Sequence, residues 1–388
     1  MVVVFSIFYL VIVKRKKPRG NQRQQSPQRP QRPQRPHLKK RKRRKQLVLQ
    51  KKRNHLKNNV YILIMINIRI LLPFLLFCTI NAAIYPKDIE CFGVIGDSIS
   101  AGFSMNSGSF GKEDFMEYRD QVFSIGRKEN YRTLPNIFHQ FNPNLNLSKS
   151  CASNYETLVN YNHDHNIDCN VAISGALSNR VIFMWEELYF KWVQYNCTNK
   201  WKVLTIMIGA NDICAYCING YNKTIAAYMD NIGQLLDNIY EDSQKIFINY
   251  VSLFDVGMVL DWQNPKCDIV HLLINECPCI LGRNRQKNVR SKVIQLFQDM
   301  NKKLYPYIAS LAGKRDDIIV KIQPILENFK IYNSSYLSKL DCFHPSSFSD
   351  KVMATILWNN MFLPSEKKLK NMEYLLPLYE PTEEDYLR

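Results

Sequence analysis

Five mostly continuous apolar runs, separated by stretches of helical spacing, restrict this chain more than any other feature of its sequence. The runs lie at 89–95, 170–174, 202–208, 245–253 and 318–325. A continuous apolar run of strand length suits a strand covered on both faces, and its alternation with helices is that of an α/β fold with a mainly parallel, five-stranded sheet. Helical spacing is clearest in Ile225, Tyr228, Met229, Ile232, Leu235, Leu236 and Ile239. It recurs in Val289, Val293, Leu296, Phe297, Met300 and Leu304, so two helices should bury these faces. A last helix is expected from Ser346, whose hydroxyl suits a cap, through Val352, Ile356 and Met361 to Pro364. Residues 365–388 read as a peripheral acidic tail.

A net charge of +18 would suit a binder of polyanions if it were spread over the fold, and it is not. The first acidic residue is Asp88; residues 1–60 hold 20 Lys and Arg, and Arg69 adds one. The remainder therefore carries 52 − 21 = 31 bases against 34 acids, a net charge near −3 that gives the body no claim on nucleic acid. Residues 1–58, with QSPQRPQRPQRPH at 25–37 and KKRKRRK at 39–45, read as a basic, low-complexity and disordered extension. Residues 59–83 contain Arg69, the apolar run ILLPFLLFCTI, then Ala82 and Ala83, the parts of a secretory signal cleaved near Ala83. As a signal anchor, the same segment would keep the basic tail in the cytosol, and either arrangement exports the body, 84–364. Ten cysteines of that body, an even set, suit disulfides, and sequons begin at Asn146, Asn196, Asn222 and Asn333.

Three of the apolar runs end in residues suited to chemistry. The first closes on Gly96-Asp97-Ser98-Ile99-Ser100-Ala101-Gly102, the second on Ile173-Ser174-Gly175-Ala176, and the third on Gly209-Ala210-Asn211-Asp212. In open α/β sheets, ligands bind at such carboxyl ends. Asp341-Cys342-Phe343-His344-Pro345 places a carboxylate three residues before a histidine, a spacing at which Asp341 can orient the imidazole. His163-Asp164-His165 with Asp168 reads as a surface loop rather than a metal site, and Cys214-Ala215-Tyr216-Cys217 as a disulfide element bracing the loop after Asn211. The segment 253–285 shows no clear periodicity and reads as a long cysteine-braced excursion, with its apolar residues as a contact for an acyl chain or lipid surface.

Taken in order, these blocks resemble the GDSL or SGNH hydrolase family, whose four named residues correspond to Ser98, Gly175, Asn211 and His344. Within it the chain is similar to the phospholipase B group in EYRDQVFSIG and RTLPNIFHQFNP at 117–143, GANDICAYC at 209–217, CPC at 277–279, and DCFHPSSFSDKVMATILWNNM at 341–361. It departs at Ile99, where the family has Leu, an exchange of similar volume. The resemblance implies a three-layer, flavodoxin-like fold with one catalytic unit. It implies Ser98 as nucleophile, His344 as base, Asp341 as its partner, and an oxyanion hole of Ser98, Gly175 and Asn211, with no metal or cofactor. The implied substrate is a phospholipid or lysophospholipid at a membrane or lipid surface. A carbohydrate or small-ester deacylase and a non-catalytic lipid-binding protein are the alternatives.

Overall fold

A computed structural model describes residues 83–108, 111–159, 168–262, 264–285 and 287–388. The basic extension, all but the last residue of the expected signal segment, and the His163–His165 pair lie outside the described residues. The chain runs β1 (Ile89–Gly96), α1 (Ser98–Ala101), β2 (Met116–Glu117), α2 (Leu134–Phe141), β3 (Thr157–Leu158), α3 (Val181–Gln194), β4 (Trp201–Met207), α4 (Ala210–Cys214) and α5 (Tyr216–Asn219). It continues through α6 (Tyr221–Asp242), β5 (Ile246–Val251), α7 (Pro265–Ile274), α8 (Val289–Ala309), β6 (Ile318–Gln323) and α9 (Ser347–Asn360).

Four of the five apolar runs form a parallel sheet in the order β1-β4-β5-β6, with Ile95, Ile206, Tyr250 and Ile322 in register across it. The expected fifth strand, 170–174, is not a regular strand. It runs beside β1 through Val94 N–H to Cys169 O, Val171 N–H to Val94 O and Ile173 N–H to Gly96 O, and makes one parallel bridge, Val94 with Asn170. The reason lies on its outer edge: the Arg119 guanidinium takes the carbonyls of Asn170 and Ala172, while the Asn170 side chain accepts from Ala172 N–H and donates to Ser100 O. Side chains thus satisfy the groups that a ladder would use. Counted with this edge segment, the five runs follow the flavodoxin-like order 2-1-3-4-5, whose switch point lies between β1 and β4.

Adjacent residues of β1 show that helices cover both faces. Phe92 meets Phe138 of α2, whereas a Cβ added to Gly93 would lie 2.7 Å from Trp192 of α3. On the Gly93 side α3 packs against α6 and α6 against α8; on the other, Phe141 of α2 stacks on Trp358 of α9 and Phe138 meets it edge-on. The faces read from helical spacing are buried in α6 and α8, and Ser346 caps α9 by accepting from Ser349 N–H.

Two further readings need correction. The segment after Pro364 is not peripheral: Met372 and Leu387 join the core, Trp358 donates to Tyr379 O, and Leu387 N–H bonds Ile84 O beside the start of β1. Nor is 253–285 irregular, because it holds a 3-10 turn at Val256–Asp261 and the helix α7. Asn264 caps α7 ahead of Pro265 at its first position, and Asn275 ends it in the left-handed region at φ 51°. Periodicity hid this helix: its inward face is Cys267, Val270 and His271, while Ile269, Leu272 and Leu273 face outward, so apolar residues occur all round.

The contact between Gly93 and Trp192 yields a stability test. Gly93→Val should destabilise the fold by about 1–3 kcal/mol through overpacking, read as a lower denaturant midpoint at unchanged m-value.

Candidate active site

Ser98 stands where β1 gives way to α1. Asp97 caps that turn by accepting Ile99 N–H, and Gly102 ends it at φ 71°. Gly96 admits no side chain, since an added Cβ would lie 2.2 Å from Ser100 Oγ and 2.7 Å from Met207 O. Ser98 is the first residue of α1, so its N–H has no carbonyl to reach within the helix.

The loop before α9 brings its partners. Asp341 Oδ1 accepts N–H bonds from Phe343 and His344, each at 3.0 Å, and Oδ2 lies 2.7 Å from His344 Nδ1. A carboxylate can only accept, so Nδ1 carries hydrogen and Nε2 is left to face Ser98 Oγ, also at 2.7 Å. Phe103 and Phe343 meet the imidazole ring edge-on, and Asp341 and His344 are both buried.

Two further turns complete the rim. Gly175 sits at φ 76° with open space where a side chain would project, and Asn211 follows Gly209 at the start of α4. Asn211 Nδ2 donates to Ala176 O at 3.1 Å, which fixes the amide while leaving its second hydrogen for the cavity. Behind this rim lie residues that the sequence reading did not single out. Asp212 accepts from Ser178 N–H at 2.8 Å and Ser178 Oγ at 2.7 Å, tying the Asn211 turn to the end of the Gly175 loop. Arg119, fully buried, bonds Glu117, and Glu117 Oε1 accepts from Ser174 Oγ at 2.6 Å. Glu117, Arg119 and Asp212 sit inside motif blocks already noted, but their roles depend on contacts 34 to 57 residues away. Ser98, Gly175, Asn211 and His344 share one cavity of about 420 Å³, with Phe103, Leu177, Ile274 and Pro278 among its apolar walls.

Burial alone would lower the His344 pKa. The Asp341 charge and hydrogen bond outweigh it, with Glu276 and Asp97 behind them, and lift the imidazole to about 9. Burial would raise Asp341, but His344 and the two backbone N–H bonds hold it below the ordinary carboxylate value. Asp97 is lifted to about 7 by burial, against the Ile99 bond and the nearby His344. Imidazolium is therefore the favoured partner of a fixed carboxylate, the arrangement that lets a histidine accept a proton from a neighbouring hydroxyl.

The ten cysteines at and beyond Cys91 form five disulfides. The CxxC pair does brace the loop after Asn211, but by bonding outward, Cys214 to Cys277 and Cys217 to Cys279. Cys267–Cys342 joins α7 to the loop of Asp341 and His344. Of the other histidines, His139 bonds Leu145 O and His271 bonds Asp341 O; Asp168, read with the metal alternative, accepts instead from Tyr195 and Asn154.

A serine, a histidine and a buried aspartate linked in series at the carboxyl edge of a flavodoxin-like sheet define an α/β protein with hydrolase-type geometry. Residues 92–357 match the GDSL-like lipase/acylhydrolase family, and the chain belongs to it. It is 27% identical over 315 residues to membrane-associated phospholipase B1 of Mus musculus, covering 77% of this chain and 21% of that protein. With the phospholipase B1 of Homo sapiens it is 28% identical over 302 residues, 73% of this chain and 20% of the relative. The chain thus spans about a fifth of the length of these curated relatives.

The buried Glu117–Arg119 pair gives the site its own test. Arg119→Met would strand the Glu117 charge in the interior, and should cost about 3–5 kcal/mol of stability in chemical denaturation.

Proposed function

We propose that this chain hydrolyses carboxylic esters of phospholipids or lysophospholipids through an acyl-serine, releasing fatty acid. The observation that carries this reading is the relay Ser98 Oγ–His344 Nε2, His344 Nδ1–Asp341, both links 2.7 Å, opening on a partly apolar cavity. Ser98 Oγ attacks the ester carbonyl carbon as its proton passes to His344 Nε2. The tetrahedral oxyanion then accepts hydrogen bonds from the N–H groups of Ser98 and Gly175 and from the Asn211 amide. Collapse breaks the bond to the leaving oxygen, which takes the proton from His344 and departs as an alcohol. A water molecule, deprotonated by His344, repeats the sequence on the acyl-serine and frees the fatty acid and Ser98. Asp341 keeps the imidazole in its tautomer and balances the imidazolium.

A long-chain substrate is favoured over a small ester by the surface beside the cavity. Ile269, Leu272, Leu273 and Ile274 are 60%, 51%, 73% and 47% exposed, and Ile274 also lines the cavity. Lys266 lies on the same helix, and Arg283 bonds Leu272 O at its end, so cations flank the apolar face as at a phospholipid surface. The five disulfides suit an oxidising compartment outside the cytosol, and the sequon residues Asn146, Asn196, Asn222 and Asn333 are all exposed. Among the described residues no helix is long and apolar enough to cross a membrane.

Fatty-acid release from phosphatidylcholine and lysophosphatidylcholine vesicles tests the reading. Ser98→Ala should abolish release, and Asn211→Ala should lower kcat by about 10²–10³, the usual effect of losing one oxyanion donor. Turnover of short esters without release from vesicles would assign the site to a small-ester hydrolase instead. Leu273→Asp should lower vesicle turnover relative to turnover of a soluble short-chain ester by about tenfold, since it places a charge where an apolar side chain would enter lipid. An equal loss on both substrates would remove α7 from lipid contact.

A further inference from the structure

A second carboxyl approaches the histidine. Glu276 Oε1 lies 3.4 Å from His344 Nδ1, the nitrogen that Asp341 already holds at 2.7 Å. The side chain is 6% exposed and lines the cavity wall, and its Oε2 has no hydrogen-bond partner. Among the described residues, Glu276, Asp341 and His344 are the one group of three His, Cys, Asp or Glu whose ligand atoms fall within 4.8 Å of one another. A metal is a poor fit for that trio, because both nitrogens of His344 are engaged, one with Asp341 and the other with Ser98.

The backbone that carries Glu276 is held on both sides. It follows Asn275, at φ 51°, and precedes Cys277, at φ 43°; Cys277 is bonded to Cys214 at the end of α4, and Glu276 N–H bonds His271 O. A buried carboxyl with an oxygen unbonded is destabilising, and the imidazolium that His344 becomes during turnover is a charge that can compensate it. At 3.4 Å the contact with Nδ1 is too long for a good hydrogen bond yet close enough for strong charge coupling.

Resting on the reading of His344 as the base, we propose that Glu276 is a positioning residue for that histidine. It stands behind Asp341 as a second carboxyl that steadies the ring and takes over part of the orienting role when the Asp341 bond is lost. Asp97 and Asp341 also act on His344, Asp212 acts on Asp97, and His271, with Asp268 3.8 Å behind it, lies 3.6 Å from Glu276. Burial and then the Asp341 charge lift Glu276 to about 8, so it and His344 share protons across the working range. The sign follows from the base's need to be neutral. Activity falls as pH drops and His344 gains its proton, and an ionised Glu276 favours that protonated form, so Glu276 holds the acid limb at higher pH.

The experiment measures kcat/KM against pH with a soluble short-chain ester for the native chain, Glu276→Gln, Asp341→Ala and the double variant. Glu276→Gln should move the acid limb down by roughly half a unit or more, and should cost at least about tenfold more in the Asp341→Ala background than in the native one. An unmoved limb with equal losses in both backgrounds would reduce Glu276 to packing. If Glu276→Gln fails to fold, Asp341→Ala carries the test: its residual turnover should rise as Glu276 ionises, at a lower pH than in the native chain because the Asp341 charge no longer lifts Glu276, and a flat residual overturns the proposal. Turnover that survives Ser98→Ala overturns the base reading and this proposal together, whereas Ser98-dependent turnover with an unmoved limb overturns the role of Glu276 alone.

Discussion

Two hydrogen bonds, one on each nitrogen of His344, join parts of the chain 246 residues apart, and much of the surrounding structure holds their ends in place. At the Ser98 end, the parallel sheet presents a strand terminus and Gly96 lets the backbone lie against Met207 O. At the other end, Asp341 is fixed by two backbone N–H groups, and Cys267–Cys342 ties its loop to α7. A displacement of about 1 Å in either support would open a 2.7 Å contact beyond hydrogen-bond range. The core, cystines and C-terminal segment therefore bear on the chemistry through distance alone.

The sheet explains why the remaining rim residues meet there. With the edge segment counted, the order 2-1-3-4-5 places the reversal of strand order between β1 and β4, which run parallel, and the turns after those strands carry Ser98 and Asn211. Gly175 arrives from the edge segment on the other side of β1. That segment is fixed by Arg119, whose guanidinium spans Glu117, Asn170 and Ala172. One buried cation thereby substitutes for the missing ladder and, through Glu117 and Ser174, steadies the turn beside Gly175.

What could be read from sequence divides along physical lines. Ser98, Gly175, Asn211, Asp341 and His344 each lie in a short motif at the end of an apolar run or before a capped helix, so local pattern pointed to these blocks and the family resemblance proposed their roles. β1, β4 and β5 were legible because they are buried on both faces, and β6, partly buried at the sheet edge, because Ile318, Ile319, Val320 and Ile322 still make an apolar run. The edge segment was misread because its apolar residues suit a strand while its hydrogen bonds go to Arg119, a partner that periodicity does not reveal. Helix α7 was hidden by its outward apolar face, although Asn264 and Pro265 carried a start signal. Glu276 was invisible for a different reason: it adjoins the CPC block at 277–279, but its approach to His344 follows from disulfide pairings that spacing does not determine.

Reaction of the folded protein with a fluorophosphonate, followed by peptide mass spectrometry, tests the central claim most directly, because such a reagent bonds covalently to a serine only where a neighbouring base activates it. The account predicts one adduct, on Ser98, lost when His344 is replaced by alanine in a protein that still folds. A folded protein that takes up no label, or takes it up at another serine, would contradict it.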